Sequence, residues 1–448
     1  MSGSNDSVGP GGNHDRTSMR PNERFASVGS VRSSAVSSRS RSSRGRRLGL
    51  AAGVLVGAGL LGGCARNAPQ DIFDPRGANS GRINDLQVPV FAIAIAVGIL
   101  VMAIIAFVVV RYRDQGQPIP EQTHGKASLE IILTLLPALI LVFIAVPTVS
   151  TVFALANSDD TECVVNTAGQ QWWWEYDYPV SDDGTICGYA PSGGEALPFV
   201  TSQLVIPTDT NVLIRGTSRD VIHSYWVPRL NGKRDMVPGR VHYLRMQADE
   251  PGIYAGQCAE FCGLSHANMR MEVVALDPVD FQAWLDGQLT PYEAPAADTL
   301  AGLGETLFIQ QCARCHQVDG LTDPITGDPV ISAPEQFVYS GAAPNLTNLM
   351  TRSTFAGGTY NLANTACWAD VWEAPSAEFG SRYLEGITPE CLNEIDLRGW
   401  LRNAPEMKPM YTEPDQLEPT DGKVRGMPNL GLNEDQIDAL IAYLLERK

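Results

Sequence analysis

The sequence predicts a multidomain protein in three folded parts: a two-helix transmembrane hairpin, a compact antiparallel β-sandwich or barrel, and an all-helical C-terminal domain. Three observations carry this. Residues 86–110 and 131–156 form runs of 25 and 26 residues without a charge, each longer than the ~20 that cross a bilayer core. Residues 160–276 alternate as strands do, in "QLVIPTDTNVLIRGTS" and "RVHYLRMQADEPGIYAGQ", with Pro-Gly and Asp-rich turns between. From residue 299 the period lengthens to that of helices. The last one, "NEDQIDALIAYLLERK", has Asn433 as cap and one apolar stripe of Ile437, Leu440, Ile441 and Leu444.

In chain order, residues 1–47 are low in complexity, rich in Ser, Gly and Arg, and read as disordered. The run "LGLAAGVLVGAGLLGGC" (48–64) has the basic flank, short apolar core and small-residue end of a secretory signal. Its ending resembles a bacterial lipobox, which would make Cys64 the lipidated first residue; the competing reading is a short membrane span with an incidental cysteine. Residues 1–63 would then leave, and 64–85 would be the N-terminal segment of a lipoprotein. Nine Arg and three acids would leave with them, from a chain whose net charge is already −17. That acidity argues against nucleic acid as a partner and suits a basic protein. The hairpin occupies 86–157. Arg111, Arg113 and Lys126 lie in its link, so the link faces the cytoplasm and everything after about residue 157 is exported. Pro137 and Pro147 are expected to bend the second span. The strand domain covers 158–288 and closes with a short helix, Asp277 as N-cap and Pro278 at its first position. Residues 289–298 are a linker, and 299–448 the helical domain.

Of nine cysteines, Cys64 is assigned to lipid, and the other eight fall into four neighbouring pairs. Cys312 and Cys315 stand in "CARCH". This is a strong signal for covalent c-type haem, with His316 as iron ligand; a redox C-x-x-C or half a zinc site is the plainer alternative. Met407, Met410 and Met427 are candidates for the sixth ligand. "GMPNLGLNEDQIDALIAYL" resembles the distal segment of small class I cytochromes c, and that resemblance selects Met427. It also places Pro344 and Asn345 on the proximal-side loop, and Gly304 and Phe308 where the family's first helix crosses its last. A thioether opposite imidazole raises the reduction potential. Cys163 with Cys187, and Cys367 with Cys391, are expected disulfides in an exported protein, the second worth ~3 kcal/mol by chain entropy.

The fourth pair lies in "CAEFCGLSHANM" (258–269). Soft thiolates with imidazole suit copper, zinc or iron–sulfur. The thioether of Met269 is a poor zinc ligand, and a second imidazole, His223 in "SRDVIHSYWVPRL", could reach the loop from a neighbouring strand turn.

Together "DVIHSYWVP", "CAEFCGLSHANM" and "GQQWWWEYDYP" resemble subunit II of a haem-copper cytochrome c oxidase, over roughly residues 80–285. The resemblance implies a cupredoxin-like domain holding the dinuclear CuA centre. Cys258 and Cys262 would bridge the coppers, His223 and His266 would be terminal ligands, and Met269 and the carbonyl of Glu260 weak axial ones. Trp172 would be the point where an electron enters, although Gln170 and Trp173 depart from the usual His and Tyr. Asp220 would orient the ligand loop. Glu260 and Asp235 match a magnesium site shared with subunit I, and Glu130 the mouth of a proton channel there. With the fused cytochrome the chain is similar to the caa(3)-type oxidases of bacteria. That implies a plasma-membrane translocase with CuA and haem c on the outer face. Its partners would be subunit I, with haem a, CuB and the oxygen chemistry, subunit III, and a bc-type complex or other cytochrome as donor. A CuA-bearing nitric oxide reductase subunit and a free-standing membrane electron carrier are the alternatives. A quinol oxidase subunit would lack the copper ligands.

Overall fold

The computed structural model describes residues 68–448, apart from 115, 117, 119–120, 122–123, 193–198, 314, 319–342, 373 and 412–425. Residues 1–63 and Cys64 lie outside the described residues.

Two long helices come first, α1 (Ala78–Arg111) and α2 (Ala127–Ala156). Leu100, Phe107, Leu133 and Phe153 are each more than half exposed along them, an arrangement stable only in an apolar solvent. At 34 residues, α1 is about 50 Å long, well beyond a ~30 Å hydrocarbon core. It starts ahead of the apolar run because its first turn docks on the strand domain. Asn79 and Ser80 are buried, and a Cβ on Gly77 would collide with the Gln247 carbonyl. Beside that contact Arg76 N donates to Arg229 O (2.8 Å) and Asp249 N to Arg76 O (2.9 Å). The second helix runs through Pro137 and Pro147 unbroken.

Ten strands follow: β1 (Cys163–Gln170), β2 (Trp173–Tyr178), β3 (Phe199–Thr201), β4 (Leu204–Pro207), β5 (Val212–Ser218), β6 (His223–Trp226), β7 (Arg234–Met236), β8 (His242–Met246), β9 (Gly252–Cys258) and β10 (Arg270–Leu276). They form two five-stranded sheets, ordered β3-β2-β1-β5-β8 and β4-β10-β9-β6-β7. The expectation of a purely antiparallel sandwich is corrected: β1 pairs β5 in parallel, and β4 pairs β10 in parallel. The chain changes sheets between β3 and β4 and again between β4 and β5, so strands far apart in sequence become neighbours with the same sense. Alternation is clean in β1, where every second residue from Cys163 is buried. Tyr176, Tyr178, Ile206, Ile214 and Tyr225 fill the interior. Helix α3 (Pro278–Gln288) closes one end with Phe281, Trp284 and Leu285 buried. Asp277 stands at its N-cap but makes no capping bond; its carboxylate accepts from the Thr208 hydroxyl at 3.3 Å. Cys163 is bonded to Cys187, and Cys367 to Cys391.

After mostly exposed residues 289–298 come α4 (Leu300–Gln311), α5 (Thr365–Trp372), α6 (Ser376–Leu384), α7 (Glu394–Met407) and α8 (Glu434–Leu445). A two-residue ladder, β11 (Thr354–Phe355) with β12 (Tyr360–Asn361), interrupts the otherwise helical domain. Asn433 and Gln436 form a reciprocal capping box on α8. Ile437, Leu440, Ile441 and Leu444 are all buried. Helix α8 crosses α4 at Gly304, where a Cβ would strike the carbonyl of Ala439, and Phe308 packs on Tyr443 with ring centroids 5.2 Å apart. Gly304→Val is therefore expected to force the two helices apart and cost at least ~1–3 kcal/mol. A thermal melt of the full chain followed at the haem band would show it, and an unchanged midpoint would mean the crossing is not tight.

Candidate metal centre and haem site

The loop after β9 returns across the start of β6, and this brings the sulfur and imidazole donors together. The Sγ atoms of Cys258 and Cys262 are 3.8 Å apart. His223 Nδ1 lies 3.9 Å from Cys258 Sγ, His266 Nδ1 3.5 Å from Cys262 Sγ, and Met269 Sδ 3.8 Å from Cys262 Sγ. The carbonyl of Glu260 faces Cys258 Sγ at 3.3 Å. His223, Cys258 and Met269 are almost fully buried, so water does not compete for the donors. The ring nitrogen of His223 that faces away from sulfur, Nε2, is 2.8 Å from Asp220 Oδ1. Burial is the largest single influence on His223 and works to lower its pKa, but the hydrogen bonds and charges of Asp220 and Cys258 together outweigh it and the net shift is upward. Burial likewise raises Asp220, and the bonds from His223 and the Gln171 amide more than reverse that. In the sulfur pair, the hydrogen bond from the Cys262 thiol holds Cys258 far below its ordinary range, and Cys262 is raised in turn. His223 Nδ1 and the two sulfurs lie within 4.8 Å of one another, and His266 Nδ1 and the Met269 thioether flank Cys262; this soft donor set fits copper.

Asp220 has a second task. Its Oδ2 accepts from the Gln171 backbone N–H at 2.8 Å, so one carboxylate fixes both the ligand ring and the aromatic run. Asp220→Asn is expected to lower copper affinity 10- to 100-fold, the usual size for a partner that orients a ligating imidazole. Copper retention against a chelator would measure it; retention equal to the parent chain would show that packing alone orients the ring.

Trp172 is 3% exposed, and its indole N–H donates to the Cys262 carbonyl at 3.0 Å. The helical domain covers it. Lys408 Nζ donates to Trp172 O (2.9 Å) and to Ala356 O (2.7 Å), and the Tyr411 ring lies 5.1 Å from the Trp172 ring. Burial pushes the Lys408 ammonium down to about 7. Neither Lys408 nor Tyr411 carries a local signal: a buried lysine looks like any surface lysine until the domain packed on it is seen.

At the end of α4, Cys312 and Cys315 sit on one turn, and His316 Nδ1 is 2.7 Å from the Pro344 carbonyl. That bond makes Nδ1 the protonated nitrogen and leaves Nε2 as the metal-facing lone pair. Burial keeps His316 below its ordinary pKa, hence neutral and fit to ligate. Arg352 is buried with its Nε unpartnered, an orphan donor that suits an anionic group of a bound porphyrin. These features fit haem. Met407 turns its sulfur against Gly399 on its own helix, and Met410 is buried against Gly426. Met427 is partly buried at the margin of two apolar clusters, the core of the helical domain and one that joins Met410 and Ala404 of that domain to the strand domain. Glu130 lies in the first turn of α2. Asp235 accepts from Ser224 Oγ at 2.7 Å on β7, beside the ligand strand β6. Sequence reasoning missed Arg352, which carries no local signal of burial.

A two-helix membrane anchor, a sulfur–imidazole clasp on a β-sandwich and a C-x-x-C-H domain folded against it define a membrane-anchored electron-transfer protein. Family models agree region by region: the transmembrane domain of cytochrome c oxidase subunit II matches residues 71–151, its periplasmic domain 163–276, and cytochrome c 301–448. "Cytochrome c oxidase subunit 2" of Alkalihalophilus pseudofirmus is 30% identical over 87% of this chain and 94% of its own. That of Bacillus sp. (strain PS3) is 31% identical over 75% and 79%. Among solved structures, the periplasmic domain of subunit II of cytochrome oxidase of Bradyrhizobium japonicum is 26% identical over 28% of this chain and 93% of that one, with a TM-score of 0.24. The chain belongs to the cytochrome c oxidase subunit 2 family. It is an oxidase's electron-transfer subunit with a fused cytochrome c domain, built to bind copper and haem c.

Proposed function

We propose that this subunit takes electrons from its own covalently attached haem c, passes them through Trp172 to a dinuclear copper centre, and delivers them to haem a and the oxygen-reducing site of subunit I. The observation that carries this is the convergence of both His Nδ1 atoms and Met269 Sδ on two sulfurs 3.8 Å apart. When bound, haem held by Cys312, Cys315 and His316, and copper held by Cys258, Cys262, His223, His266 and Met269, would supply one-electron redox chemistry. The chain's own groups do the rest. Asp220 fixes the His223 tautomer. Pro344 does the same for His316, and Met427 would supply a thioether to the haem iron. Cys312 and Cys315 hold the porphyrin by thioether bonds. The buried indole of Trp172 closes the clasp to water and joins it through the Cys262 carbonyl.

The basic link between the spans supports an orientation with both cofactor domains on the outer face of a bacterial plasma membrane, with Cys64 as lipid anchor. Asp235 and Glu260 face subunit I and contribute to a magnesium site shared with it, and Glu130 stands at its proton-channel mouth. Subunit III completes the complex, and a bc-type complex or another cytochrome is the donor. Tethering keeps the haem domain near copper at high effective concentration. Metal analysis and spectroscopy of the purified membrane complex test this. Two coppers per chain, a mixed-valence EPR signal and haem that stays on the denatured chain are expected. Zinc at the clasp, or haem b with non-haem iron in the complex, would overturn it.

A further inference from the structure

The seam between the two exported domains is more specific than a tether requires. On the copper side it presents Trp172, Asn268 and Arg270. On the cytochrome side Arg270 N donates to Gly357 O at 3.0 Å, and Thr359 Oγ1 donates to Asn268 O at 2.7 Å. Gly357 has φ +70°, and a Cβ there would strike the Trp172 carbonyl, so this approach is built for glycine. A second polar contact lies alongside: Ser353 N donates to Gln203 Oε1 (3.0 Å), the Ser353 hydroxyl to Glu272 (2.6 Å), and the Tyr383 hydroxyl to Gln203 (2.9 Å). Buried polar groups paired this fully fix one arrangement of two surfaces.

At the centre of the seam is Tyr411. Its ring lies against the Trp172 ring at 5.1 Å, and Trp172 reaches the Cys262 carbonyl in one hydrogen bond. The residue before Tyr411, Met410, packs on Gly426, the residue before Met427. Packing at Met410 and, one residue on in the chain, ring contact at Tyr411 therefore link the Met427 segment to Trp172 and the sulfur clasp.

We propose that Tyr411 is a positioning residue for electron transfer between the two domains, its ring fixing Trp172 against the cytochrome domain while Lys408 clamps the Trp172 carbonyl. This rests on the reading that electrons reach copper through Trp172. One electron leaves ferrous haem, which becomes ferric, and the copper pair is reduced by one; no bond forms or breaks, and Tyr411 keeps its proton. Tunnelling falls steeply with distance, so a held ring contact makes the step fast and uniform, where a loose tether would make it a search. The covered Trp172 is closed to any other donor protein, which must deliver to the cytochrome domain instead.

The test uses the purified oxidase complex with Tyr411→Phe, Tyr411→Leu and Trp172→Leu. After rapid reduction of haem c, its reoxidation and the copper band are followed together. Tyr411→Phe should stay within twofold of the parent and Tyr411→Leu should slow the step at least tenfold, with haem spectrum, copper EPR and both potentials unchanged. A Tyr411→Leu rate equal to the parent overturns the proposal. If Trp172→Leu also transfers normally, the Trp172 reading fails too; if it alone is slow, only the role of Tyr411 falls. A second readout needs no turnover: an amine-reactive reagent should label Lys408 at least tenfold more slowly than the exposed Lys448. Equal labelling would mean that the seam is not closed.

Discussion

Cys258→Ser is expected to leave the chain folded and without its copper, with oxidase turnover down at least ~100-fold. The physical reason is the density of contacts on one atom. Cys258 Sγ faces Cys262 Sγ, His223 Nδ1 and the Glu260 carbonyl, so it is shared by every ligand on its side of the clasp. A serine hydroxyl is hard, stays protonated near neutral pH, and cannot replace a thiolate that holds copper. The fold should survive, because Cys258 ends β9 on backbone pairing with β6 and β10 that the substitution leaves untouched. Copper content and the EPR signal read the loss, and circular dichroism reads the fold. Normal copper content with a normal signal would show that the thiolate is not a ligand.

Replacing Cys312 and Cys315 together by serine is the second large effect. Both thiols sit where α4 ends, and His316 follows at once with its ring held by Pro344. Without the sulfurs no covalent bond can form, and the peroxidase stain of the denatured chain should fall to background. Stability should fall with it. Phe308, Leu397 and Leu440 belong to the core of this domain, and a haem bound only to the folded state supports that core in proportion to its affinity. Haem that still migrates with the denatured double variant would contradict covalent attachment.

Much of this site was legible in sequence because its chemistry is local. Cys258, Cys262, His266 and Met269 fall within one loop, and Cys312, Cys315 and His316 within one helical turn. His223 was reachable only as a second imidazole in a neighbouring strand segment, and the structure places it as the start of β6. What was not legible depends on contacts between distant segments. The early start of α1 follows from the Gly77 contact with Gln247; hydropathy marks where a helix turns apolar, not where it begins. The parallel pairing of β1 with β5 leaves no trace in alternation, which has the same period in either sense. Trp172 was marked as the electron entry by the resemblance, but its contacts Lys408 and Tyr411 lie more than two hundred residues away. No periodicity connects them, and only the folded seam shows that an exposed-looking lysine caps a tryptophan carbonyl.

The most direct measurement is the rate of haem c oxidation in the purified complex, with no soluble cytochrome present. The attached haem should be oxidised at least as fast as the complex turns over, in step with the arrival of an electron at copper. Oxidation that stays slower than turnover would place the haem off the electron path and contradict the relay.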